Sequence, residues 1–237
     1  MIVSIHQPNY LPWLGYFDKI KQSDIFVVFD DVQFPRGKKH FGHRNQIKTN
    51  TGTKWLTVPI KNKSDMVSFN DTIINYDTDW HNEHCKQISN HYSKSPYFMD
   101  YFMTINDIIC KGHDSLTELS VELIRYFMKE LNINTEIVYS SQLNPNGVGS
   151  EKIFSILENL NATEYVTGSG PGSKRYIDDE EFKKRNIKLK WQDYKCKEYN
   201  QLFGDFIPYL SVVDLLFNHG KNQERLYECN GDWSTPR

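Results

Sequence analysis

MIVSIHQPNYLPWLGYFDKIKQSDIFVVFD, residues 1–30, sets two apolar runs on either side of a segment with helical spacing. MIVSI reads as a short buried strand, since an unbroken apolar run closed by polar and proline residues suits a strand covered on both faces. From Pro12 onward the apolar and aromatic residues fall at 13, 14, 16, 17 and 20, a helical period with Pro12 near the first turn, where its missing N–H is not needed. DIFVVFD, residues 24–30, is a second buried strand. Two such strands joined by a helix make a βαβ unit, with parallel strands and a right-handed connection.

The corner between the first strand and the helix is chemically dense. His6, Gln7, Asn9, Tyr10, Trp13 and Tyr16 stand where a strand built only to pair would close in a small turn. In open parallel sheets ligands bind at the carboxyl ends of the strands. Gln7 offers a donor and an acceptor to an amide or base edge. Trp13 and Tyr16, one helical turn apart, can face a ring, and Gly15 lets backbone approach a phosphate. The plainer alternative is a proline-shaped turn whose aromatics pack under the sheet.

The alternation continues outward. KWLTVPI and DTIINY read as a strand pair joined by the polar stretch KNKSDMVSFN, and helices follow at about 79–94, 96–110 and 114–131. TEIVYS returns to strand, SEKIFSILENL is a helix opened by a Ser cap, and EYVTGS is a further strand. A glycine loop, a short acidic-start helix, the strand IKLKWQDY and a last helix stopped by Gly220 complete the chain. The fold class is therefore α/β, a Rossmann-like and mostly parallel sheet with flanking helices and an inserted hairpin and helical segment. One domain is expected to span residues 1–237.

Composition narrows the function. The 237 residues carry a formal charge of −2 with both signs interleaved, which argues against a nucleic-acid partner. Aromatics make up 14% of a chain that is only 38% hydrophobic, a surplus that suits stacking on sugars or bases. Cys85, Cys110, Cys196 and Cys229 have no short repeated spacing and outline neither a zinc site nor a disulfide framework. Neither a signal peptide nor an apolar run long enough for a membrane span is evident, so a cytoplasmic protein with reduced thiols is expected.

Three further clusters carry chemistry. Asp30 and Asp31 close the second strand, with Gln33 beside them. Adjacent strand residues point to opposite faces, so one carboxylate serves a site on either side, as a magnesium or ribose ligand or as a base. RGKKHFGHRNQIKT concentrates Arg36, Lys38, Lys39 and Arg44, and Arg44 followed by Asn45 suits a diphosphate or carboxylate. TGSGPGSKRYID places Gly168, Ser169 and Gly170 after a strand, as a phosphate-cradling loop does, with Tyr176 and Asp178 at its far end. His81, His84, Cys85 and His91 fall at helical spacing, but without a metalloprotease arrangement they read as a helix face, and no metal site is expected.

Taken together, these segments resemble the WbqC-like protein family over nearly the whole chain. The resemblance runs through Gln7-Pro8 to Tyr10, Pro12-Trp13 and Gly15-Tyr16; through Asp30-Asp31, Gln33 and Arg44-Asn45; through Gly168-Ser169-Gly170, Tyr176 and Asp178; and through Tyr199, Gln201, Phe206, Pro208, Ser211, Asp214, Asn218 and Gly220. It implies a place among enzymes of O-antigen, capsule and other surface-polysaccharide (lipopolysaccharide-type) precursors, and a nucleotide-linked sugar as substrate. The expected activity is transfer of an acyl or aminoacyl group to a nucleotide-linked amino sugar. Asp30 or Asp31 would take the amine proton, and His6 is a further candidate base. Arg44 and Gly168-Ser169-Gly170 would hold phosphate. Trp13 and Tyr16 would stack, and Gln7, Tyr10, Gln33, Asn45, Tyr176, Gln201, Ser211 and Asp214 would line the substrate. The cofactor stays open between magnesium-ATP and an activated acyl donor. A looser likeness in architecture to nucleotidyltransferases and pantothenate synthetase-like ligases keeps an ATP-dependent ligase open; their HxGH motif would fall on Trp13-Leu14-Gly15-Tyr16. A non-catalytic nucleotide-sugar binding protein is the third alternative.

Overall fold

The computed structural model describes residues 1–35, 40–61 and 67–221. Arg36, Lys38, Lys39 and Cys229, singled out in the sequence, lie outside the described residues, as does most of the KNKSDM stretch. The chain begins β1 (Ile2–His6), α1 (Leu14–Lys21), β2 (Ile25–Val28), the βαβ unit read from the opening residues. A hairpin of β3 (Arg44–Thr49) and β4 (Gly52–Thr57) follows, then α2 (Trp80–Tyr92), α3 (Phe98–Cys110) and α4 (Leu116–Glu130). The chain returns through β5 (Glu136–Tyr139), a single turn α5 (Ser140–Leu143) and α6 (Ser150–Asn159) to β6 (Glu164–Gly168). It closes with α7 (Pro171–Lys174), α8 (Asp179–Lys184), β7 (Lys188–Gln192) and α9 (Val212–His219).

Five strands form one sheet in the order β5-β2-β1-β6-β7, and every neighbouring pair is parallel. Such a sheet must be covered on both faces, and its interior strand β2 shows it: all four of its residues are apolar and buried. Val3 and Ile5 of β1 join Phe154 and Leu157 of α6 and Phe182 of α8 in one core cluster. On the opposite face Phe26 and Val28 meet Tyr16, Phe17 and Ile20 of α1, and this cluster continues into the layer of α2, α3, α4 and α9. Each large apolar side chain buried there contributes about 1.5–3 kcal/mol of transfer free energy. α4 is the most fully specified helix at its start: Ser115 caps it, with Glu118 reaching back in a capping box.

Two local expectations are corrected. The hairpin pairs β3 with β4, Arg44 opposite Thr57, whereas KWLTVPI and DTIINY meet only through the bridge Ile60–Ile74. β3 begins within the stretch in which the sequence concentrates basic residues. It is a strand because Asn45, Ile47 and Lys48 are buried and the local residues alternate in exposure at its start. The second correction concerns α6. Its N-cap is Gly149 at φ 59°, a left-handed position that glycine takes without strain, and Ser150 is the first helical residue, its hydroxyl donating to the Tyr176 carbonyl at 2.7 Å.

Candidate functional site

β1 leads through α1 to β2, on one side of the sheet, and β6 leads through α7 and α8 to β7, on the other. Connections therefore diverge between β1 and β6, and this switch point is where a parallel sheet opens a crevice at its carboxyl edge. The last registered pair between these two strands is Ser4–Val166. In that register His6 lies level with Gly168, so the opening corner and the glycine loop, remote in sequence, flank one crevice.

His6 closes β1 at this edge. Its Nδ1 lies 2.9 Å from the Gln7 carbonyl, and its ring meets the edge of Tyr16 at 4.9 Å. Burial, aided by the positive charge of Lys19, lowers its pKa from 6.5 to about 3, so the imidazole is neutral at neutral pH. A neutral ring that donates from Nδ1 to a carbonyl leaves Nε2 as an acceptor, the form a base requires. Gln7 makes no recorded side-chain hydrogen bond among the described residues.

The aromatic residues divide. Tyr16 is 1% exposed, with its hydroxyl donating to the Gln7 carbonyl at 3.2 Å, and Tyr10 is fully buried with its hydroxyl 3.0 Å from His84 Nδ1. Both belong to the interior, where they hold the corner's shape. Trp13 is only partly buried and meets the edges of Tyr194 and Tyr209 at 5.2 and 5.6 Å. Tyr209 is 52% exposed and sits at φ 62°, a left-handed conformation rare for a bulky residue and often found at ligand sites. Tyr194 follows β7, so Trp13, Tyr194 and Tyr209 make an aromatic platform beside the crevice. The sequence reading placed Tyr194 only as the end of the strand IKLKWQDY, and Tyr209 lies on no periodic element. Gly15 serves this platform: a Cβ there would lie 2.2 Å from the Trp13 indole, which folds back over it.

The two carboxylates also divide, both lying just past the end of β2. Asp30 is 1% exposed and accepts from Ser141 N at 3.0 Å and Ser141 Oγ at 2.7 Å, tying the end of β2 to α5. Asp31 pairs with Lys152 of α6 at 2.7 Å, and its Oδ1 has no hydrogen-bond partner. Lys152 had no signal in the sequence beyond a wet helix face. The glycine loop carries Ser169 and Gly170 exposed, and the Tyr176 ring lies against Gly149 at the start of α6. His6, Asp31, Lys152, Gly168 to Gly170, Tyr176 and Trp13 thus stand along one edge of the sheet.

Other residues named from the sequence make structural contacts, and Asn45 and Ser211 make theirs with the opening corner. Arg44 and Asn45 point to opposite faces of β3. Asn45 is 1% exposed and donates to the Leu11 carbonyl at 2.6 Å, which holds Leu11 at φ 45°. Arg44 lies with its guanidinium 3.7 Å from the centroid of Trp55. Gln33 is exposed and bridges to Ser68 through backbone. Asp214, fully buried, is the centre of a polar hub: it accepts from Tyr92 at 2.7 Å, Tyr199 at 2.9 Å and Gln201 at 2.8 Å. Burial raises its pKa even though all three donors act to lower it. Ser211 caps α9, and its N–H donates to the Gln46 carbonyl.

The sequence pattern of the WbqC-like protein family matches residues 7–226, from the opening corner to beyond α9. The chain belongs to the WbqC-like protein family. It is also similar to "Uncharacterized protein Rv1507c" of Mycobacterium tuberculosis (strain ATCC 25618 / H37Rv), 34% identical over 221 residues, which cover 92% of this chain and 94% of that protein. No solved structure matches it. Among the described residues no group of three or more His, Cys, Asp or Glu side chains is placed to hold a metal, and no helix is long and apolar enough to cross a membrane.

Proposed function

We propose that the protein takes part in the synthesis of surface-polysaccharide precursors, transferring an acyl or aminoacyl group to a nucleotide-linked amino sugar. The observation that carries this reading is the meeting of the opening corner with Gly168-Ser169-Gly170 at the β1–β6 switch point. In this reading the nucleotide phosphates lie on the glycine loop, whose exposed Lys174 and Arg175 follow. A base or sugar ring rests on Trp13 and Tyr209. Asp31 takes the amine proton, since one of its oxygens has no hydrogen-bond partner whereas both oxygens of Asp30 are engaged by Ser141. His6, neutral and with Nε2 free to accept, assists at the end of β1. Direct transfer between two bound substrates fits a site without an activated nucleophile.

Calorimetric titration with a panel of nucleotide-linked amino sugars tests the reading. Binding by the wild type, and an Asp31→Asn variant that binds comparably but turns over at least about 100-fold more slowly, would support it. A panel without any binding signal would overturn it. A melting temperature raised by magnesium-ATP alone, with pyrophosphate or AMP released on adding an amine, would replace it with a ligase.

A further inference from the structure

Lys19 is 3% exposed and sits in α1, its side chain reaching β1. Its Nζ donates to the Ile5 carbonyl at 3.2 Å, one residue past the last β1–β6 pair, Ser4–Val166. That is the point at which the two strands part. An ammonium has three N–H groups to satisfy, and burying its charge is costly unless a counter-charge is present. Among the described residues no carboxylate forms an ion pair with Lys19. Its neighbour Asp18 is turned away, accepting from Gln192 and Gln22. The titratable group beside Lys19 is His6, neutral, which in turn meets the ring of Tyr16, a phenol whose pKa burial raises well above its usual value. Lys48, the other deeply buried lysine among the described residues, is treated differently by the fold: it donates to the carbonyls of Gly204 and Asp205 and lies near the Asp214 carboxylate.

We propose that Lys19 is the counter-charge for a phosphoryl group of the ligand, bound over His6 and the Gly168–Gly170 loop where β1 and β6 diverge. The inference rests on the crevice identified above, but not on the acceptor sugar or on the group transferred. A solitary ammonium beneath a crevice is a seat completed by an anion. The fold tolerates it at a cost that the bound anion relieves. Burial lowers the Lys19 pKa from 10.5 to about 7, as expected of an amine lacking a counter-charge.

The test uses inorganic pyrophosphate and the full chain. The 13Cε resonance of Lys19, assigned by its absence in Lys19→Met, is followed against pH with and without pyrophosphate. The expected result is a midpoint moved upward by one pH unit or more, together with pyrophosphate affinity reduced about 10- to 100-fold in Lys19→Met. Without ligand, Lys19→Met should melt at the same temperature as the wild type or higher, since it removes an uncompensated buried charge. Pyrophosphate that fails to bind the wild type, binds Lys19→Met equally well, or leaves the midpoint unmoved would overturn the assignment. Were Lys19→Met not to fold, the charge-keeping Lys19→Arg supplies the assignment, and the midpoint shift in the wild type decides. Nucleotide-sugar binding that survives in Lys19→Met would remove Lys19 from the site while leaving the proposed transferase intact.

Discussion

Gly15 and Arg44 show how differently two residues earn their place. At Gly15 the constraint is steric, because the Trp13 indole occupies the space of a side chain. Gly15→Ala should lower stability by about 1–3 kcal/mol, as overpacking does, and weaken nucleotide-sugar binding by displacing Trp13; paired melting and titration experiments check both effects. Arg44 lies over Trp55, on the face of β3 opposite to Asn45. Arg44→Lys keeps the charge but loses the planar stack, a loss of about 0.5–1 kcal/mol at a partly exposed site. If Arg44 serves only the hairpin, that small change in stability is the whole effect and affinity is unchanged. If it reaches a diphosphate, affinity falls by about 1–3 kcal/mol in the same variant.

Between elements, the Asp214 hub is the main polar tie. It joins α9 to Tyr92 of α2 and to Tyr199 and Gln201 of the segment before α9, and Asn218 and Ser95 extend it. The same segment reaches the opening corner through Ser211, whose bridge to Trp13 and bond to Gln46 lock corner, hairpin and α9 together. Asp214→Ala removes one acceptor and strands three donors in the interior, so a loss of about 3–5 kcal/mol is expected in chemical denaturation. Asp214→Asn, which keeps the shape but turns half of the group into a donor, should lose less. A stability unchanged in Asp214→Ala would refute the hub's structural role.

For the molecule as a whole, the buried imidazoles set the response to acid. Burial lowers the pKa of His6 to about 3 and that of His84 to about 4, against 6.5 for an unfolded histidine. Below pH 6.5 the unfolded chain therefore binds protons that the folded chain refuses. Stability is fully present above pH 6.5 and is lost as pH falls toward 4 and then 3. The loss amounts to several kcal/mol, and a His84→Gln variant that keeps its fold should flatten the upper part of that decline in urea denaturation at stepped pH. Lys19 acts in a second window with the same sign. Its folded pKa of about 7 lies below the 10.5 of the unfolded chain, so stability rises from pH 7 to 10.5 as the amine that burial penalises becomes neutral in both states.

The opening residues by themselves determined the parallel βαβ start, because apolar runs and helical spacing are local properties that survive without knowledge of neighbours. α1, β2, α4, β6, β7 and the Gly220 stop were legible for the same reason. The glycine loop and the opening corner could each be picked out as chemically dense. Only the tertiary structure decided that they meet, since the adjacency of β1 and β6 comes from pairing between distant segments. It also separated Asp31 from Asp30, withdrew Tyr10 and Tyr16 into the core, and placed Asn45, Gln201, Ser211 and Asp214 in structural ties. Polar residues suited to binding are equally suited to satisfying buried backbone and phenols, and composition cannot tell these uses apart. Lys19 escaped notice for a related reason: on a helix it reads as one more solvated lysine, and only burial without a counter-charge, a property of the packed chain, distinguishes it.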